Sequence, residues 1–121
     1  MLSFPPAVRI WLCGPPIDLR RSFDGLAEMV RQHLGQDPLS GHLFVFRSRR
    51  GDRIKLLYWD EDGFALWYKR LEKGVFHFPA AADGHAGVTL RAAELTMLLD
   101  GVDWQQAKRS PRYRRPATQA G

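Results

Sequence analysis

The sequence predicts an α+β fold: an antiparallel β-meander of about four to five strands with two packed helices and a disordered basic C-terminal tail. Three observations carry this. The stretch His42–Pro79 alternates apolar runs (Leu43–Phe46, Ile54–Trp59, Phe64–Tyr68 and Val75–Phe78) with Gly-containing turns (Ser48–Asp52, Asp60–Gly63 and Glu72–Gly74). β-branched and aromatic residues suit a pleated, half-buried surface, and Gly supplies the turn geometry. A segment on each side of the meander has its apolar residues at helical spacing. Finally, residues 105–121 have no aliphatic periodicity and are rich in basic residues. The expected organisation is one domain over 1–104 and a tail over 105–121.

In chain order, Ala7–Leu12 is a short strand candidate, with Val8, Ile10 and Leu12 on one face and Arg9 and Trp11 on the other. Gly14-Pro15-Pro16 stops it, because proline has no N–H for a ladder. Phe23, Leu26, Ala27, Val30 and Leu34 then form one helical stripe. Asp18 or Ser22 is the candidate cap and Gly35 the stop. Gly25 in its first turn costs about 1 kcal/mol of helix propensity, which points to close approach of another backbone. Gln36–Gly41 reads as a loop, and the small residues of Ala80–Gly87 as a connector. Leu95, Leu98, Leu99 and Val102 mark a second helix near Ala92–Asp100, stopped by Gly101. Arg91 is a poor residue for its cap, and Thr89 is the substitute.

The 121 residues suit one domain. A single cysteine, Cys13, excludes an internal disulfide and reads as a small core filler. The N-terminus lacks a basic n-region and is broken by prolines, unlike a signal peptide. No apolar run approaches the roughly 18 residues of a membrane helix. The expectation is a cytoplasmic protein with no membrane partner.

Catalysis finds little support. His33, His42, His77 and His85 sit in no nucleophile or metal motif, and no Cys/His spacing suits a metal. The acidic cluster Asp60-Glu61-Asp62 reads as a solvated hairpin turn. It is not a calcium loop, because the twelfth position from Asp60 is Leu71. The expectation is therefore no catalytic residues, no metal, no cofactor and no enzyme activity.

Charge is more informative. Lys and Arg number 18 against 13 Asp and Glu. Five of the basic residues (Lys108, Arg109, Arg112, Arg114 and Arg115) lie in the tail, which has no acid, so residues 1–104 are neutral overall. Within that neutral body, Arg47, Arg49, Arg50, Arg53 and Lys55 flank one hairpin turn, with Asp52 the only acid among them. Lys69 and Arg70 lie on a neighbouring run. Guanidinium forks suit phosphate oxygens. These seven residues are the candidate nucleic-acid-binding set. Arg20 and Arg21, leading into the first helix, are the candidate partner-binding pair.

Several motifs combine in one order and spacing: Asp18-Leu19-Arg20-Arg21-Ser22-Phe23-Asp24-Gly25-Leu26, Gly41 to Arg47, Arg49 to Lys55, Tyr58-Trp59-Asp60 with Gly63-Phe64, Tyr68 to Gly74 with Phe78-Pro79, and Leu95 through Leu98 to Trp104. Over about residues 7–104 the chain resembles the TnpB (Orf2) accessory-protein family of IS66-type bacterial insertion sequences, which is distinct from the RNA-guided nucleases sharing the TnpB name. The resemblance implies a non-catalytic accessory role in transposition beside a separate, larger transposase. The expected partners are that cognate transposase and DNA, engaged through the Arg-rich hairpin. The alternative is a protein–protein adaptor that binds the transposase without contacting nucleic acid.

Overall fold

The computed structural model describes residues 7–104. A mixed five-stranded sheet runs in the order β4-β3-β2-β1-β5. Its strands are β1 (Ile10–Cys13), β2 (Leu43–Arg47), β3 (Arg53–Asp60), β4 (Gly63–Arg70) and β5 (Gly87–Leu90). Helix α1 (Phe23–Met29) continues as a π-helical turn, Val30–Leu34, and α2 is Ala92–Leu99. The expected α+β class holds. The tail expected at 105–121 lies outside the described residues.

Strand periodicity sorts the core into two layers. Ile10, Leu12, Leu43, Val45, Ile54 and Leu56 share one face and pack with Leu95, Leu98 and Leu99 of α2. Cys13, Phe44, Phe46 and Leu57 share the other and pack with Leu26, Ala27, Met29 and Val30. Successive strand residues point to opposite faces, so the near-continuous apolar runs of β2 and β3 mean burial on both sides. Each helix lays its stripe on one face. Phe23, expected in the α1 stripe, is 42% exposed at its first turn.

The sheet departs from a pure meander in three places. First, β1 pairs with β2 in parallel, Ile10 opposite Leu43 and Leu12 opposite Val45. Parallel neighbours need a long crossover, and the α1 segment is that crossover. Second, Val75–Phe78 is not a strand. Beyond the Glu72–Gly74 bend it crosses the end of the sheet, with Phe76 buried and Val75 exposed. Third, a strand that was not expected begins where the connector ends: β5 pairs antiparallel with β1, Leu12 opposite Val88 and Cys13 opposite Gly87.

Local expectations are corrected too. Gly25 meets no foreign backbone; an added Cβ would lie 3.2 Å from the Arg21 side chain. The close approach falls instead at Gly14, where a Cβ would lie 1.8 Å from the His85 carbonyl oxygen. Gly14 N–H donates to Ala86 O at 2.9 Å, which holds this crossing shut. Ser22 stands at the α1 N-cap without a side-chain bond. Asp18 accepts from Arg20 instead. Gly35 ends the helical segment at φ 62°, as expected. At α2, Glu94 supplies the missing cap, its carboxylate accepting the Arg91 N–H at 2.9 Å, while Thr89 belongs to β5.

Candidate nucleic-acid interface

The β2–β3 turn is built by a short side chain and a glycine. Ser48 Oγ accepts the Arg53 N–H at 3.1 Å and donates to Asp52 Oδ1 at 3.3 Å. Gly51, at φ 78°, donates its N–H to Ser48 O at 3.1 Å. The turn is braced from both sides. On one, Ile17 N–H donates to Arg47 O at 2.9 Å, and Ile17 bridges to Ser48. On the other, Leu71 N–H donates to Asp52 O and Phe76 N–H to Gly51 O, both at 2.8 Å. A tip held by four backbone bonds presents its side chains in a fixed frame.

Arg49 and Arg50 stand exposed at that tip, and Arg53 is half-buried at the base of β3. All three line a cleft of about 270 Å³ shared with Ile17, Asp18, Leu19 and Arg20. The Arg20 guanidinium forks onto Asp18, with Nε and Nη2 at 2.9 and 2.6 Å from Oδ2. Those bonds, the Arg20 N–H and the charges of Arg20 and Arg49 hold the Asp18 carboxyl well below the usual carboxylate range. Asp18 is therefore ionised at neutral pH. The cleft gathers four arginines against the carboxylates of Asp18 and Asp52, an excess of positive charge.

Two of the expected contact residues face inward. Arg47 continues the Leu43–Val45 face. Its guanidinium donates to Gly14 O, pairs with Asp83 at 3.3 Å and lies 4.9 Å over the Phe78 ring; its side chain is 13% exposed. Lys55 lies on the α1 face and is 7% exposed. Its Nζ donates to Arg21 O at 2.7 Å and lies 4.8 Å from the Tyr68 ring centroid. Burial lowers its pKa. Both side chains hold the scaffold together, because period-2 alternation turns them into the core while the turn residues between them face outward.

The remaining candidates divide. Arg70 stands opposite Arg53 across β3 and β4, and pairs with Glu72 at 2.9 Å. Lys69 is exposed on the opposite sheet face, across from Ile54. Arg21 is exposed, and its carbonyl receives Lys55. Arg20, expected to serve a protein partner, lies in the cleft with the turn arginines.

The sequence reading missed a second cleft, of about 390 Å³, on the other flank of the same tip. His77, Asp103 and Trp104 line it together with Arg49 and Arg50. His77 Nδ1 is 4.0 Å from Asp103 Oδ1. Residues so far apart in the chain leave no sequence signal for this juxtaposition. Among the described residues no group of three or more His, Cys, Asp or Glu could hold a metal. No described helix is long and apolar enough to cross a membrane.

Comparison with known proteins gives a consistent picture. The family model described as IS66 Orf2 like protein matches residues 8–109. Uncharacterized protein y4jC of Sinorhizobium fredii is 40% identical over 111 residues, covering 92% of this chain and 93% of its own. Uncharacterized protein y4hO of the same organism is 39% identical over 105 residues, covering 87% of this chain and 90% of its own. No solved structure matches.

Proposed function

Because the chain belongs to the IS66 Orf2-like family, whose role is accessory to transposition, we propose that it helps a separate transposase engage element DNA through the cleft of Arg20, Arg49, Arg50 and Arg53. One observation carries this reading. Two segments distant in sequence bring four arginines to one cleft in a body whose overall charge is neutral. Arginine forks suit phosphate oxygens, and a braced turn avoids the ordering cost of a mobile loop. Phosphate contacts position a protein without reading sequence, which suits a helper whose transposase does the chemistry.

Titration of the full chain with duplex element-end DNA tests the proposal. About four phosphate contacts predict a roughly 10²-fold loss of affinity between ~50 and ~200 mM salt. Arg49→Ala with Arg50→Ala is expected to lower the magnitude of the log–log salt slope by about 2, while Lys69→Ala, on the other sheet face, leaves it unchanged. An unchanged slope in the double variant overturns the cleft as the DNA surface. The adaptor alternative draws on the Arg20–Asp18 fork, which already meets one arginine's charge. A complex with the transposase that survives nuclease and the double variant supports the adaptor.

A further inference from the structure

We propose that two copies of this chain associate through the β4 edge, antiparallel, in the register that sets Leu66 against Leu66 of the second copy. The reading is independent of nucleic-acid binding. β4 ends the sheet, and its eight residues pair with β3 without a bulge. Among the described residues no other strand pairs with its outer side. The opposite edge, β5, has only four residues. Short strands, prolines and bulges are the usual protections of an edge; β4 has none of them, and its basic residues, Lys69 and Arg70, sit only at one end.

The hairpin geometry says which groups are available. A pair joined by two residues closes hydrogen-bonded, and here that pair is Asp60–Gly63. Bonded and non-bonded pairs alternate from there. The backbone N–H and C=O of Phe64, Leu66, Tyr68 and Arg70 therefore turn outward.

Charge selects the occupant. The β3–β4 hairpin is acidic at one end (Asp60, Glu61, Asp62) and basic at the other (Lys69, Arg70). Antiparallel pairing of β4 with itself sets base against acid at both ends, whereas parallel pairing sets like against like. Outward residues must meet outward residues. The Leu66–Leu66 register does this, and also places Phe64 opposite Tyr68, Ala65 opposite Trp67, and Arg70 beside the acidic turn. Tyr68 is 48% exposed, and Phe64, Leu66 and Trp67 are partly exposed. Each gains an apolar or aromatic cross-strand neighbour. The Arg70–Glu72 pair is solvent-exposed and of little worth, so Arg70 can turn to the second copy. The contact is isologous and closes at two copies. It yields one continuous sheet with both α1 helices, and both arginine clefts, on a common side.

Light scattering of the full chain is expected to give twice the 13.8 kDa of one copy at tens-of-micromolar concentration. Leu66→Lys sets two like charges at the twofold axis and is expected to weaken the dimer roughly 100-fold. Leu66→Asp does the same alone, and mixing the two variants restores the dimer, which shows that each is folded. Cys13 is the single cysteine and is buried. Leu66→Cys thus adds the one accessible thiol, and a short bis-maleimide, which adds one thiol at each end, is expected to join two copies through it but not through Glu28→Cys. A monomeric wild type, a dimer indifferent to Leu66→Lys, or a monomer that instead takes up a strand peptide overturns the proposal.

Discussion

The sheet carries two hairpin turns that are opposite in charge in the sequence and differently supported in the fold. The β2–β3 turn, Ser48–Asp52, is basic and braced on both flanks by backbone bonds from Ile17, Leu71 and Phe76. The β3–β4 turn, Glu61-Asp62, is acidic and exposed, with Glu61 at a strained φ of 55°. Among the described residues, distant chain hydrogen-bonds to the first turn and not to the second. A turn becomes a site when other segments fix its frame and contribute side chains to it, and Arg20 does the latter.

Removing the brace gives the largest expected effect. Phe76 is 3% exposed and anchors the segment that crosses the first turn. Phe76→Ala is expected to cost about 3–5 kcal/mol, measured by urea unfolding, and to raise amide exchange at Gly51 and at Leu71, whose N–H donates to Asp52 O. Were exchange there unaltered, the contrast between braced and free turns would fail.

The buried lysine beneath the first turn sharpens the contrast through pH. Burial lowers the folded-state pKa of Lys55 below the ordinary 10.5. Between the folded and unfolded values the unfolded chain binds more protons, so stability rises with pH across that window. The buried charge thus weighs against the fold below the window and is relieved above it. Lys55→Met is expected to flatten this alkaline rise in the urea midpoint. An identical pH profile in wild type and variant would show that the lysine titrates alike in both states.

The smallest effect belongs to the unbraced turn. Glu61→Gly relieves the positive φ but adds backbone entropy to the unfolded chain, for a net gain of about 0.5 kcal/mol. Thermal unfolding should rise by a few degrees at most. A large change of either sign would mean that this turn, too, is held by the rest of the molecule.

The sequence by itself determined the fold class, four of the five strands (β1 to β4), both helical stripes and the family, because side-chain period and turn residues act over a few neighbouring positions. It also showed where positive charge concentrates. It did not reveal that β1 runs parallel to β2, since nothing local distinguishes a strand's direction. It suggested a strand at Val75–Phe78, whose alternation is real but whose backbone is spent on the β2–β3 turn. It gave no sign of β5, which pairs Gly87 and Val88 with β1 because that edge was open. Among the arginines and lysines, composition marked a set and tertiary packing divided it. Arg47 and Lys55 were drawn inward to Gly14 O and Arg21 O, while Arg20 was brought beside Arg49 and Arg50. Which charges face solvent depends on what packs against each face of the sheet, and that is a property of the assembled layers rather than of any stretch of chain.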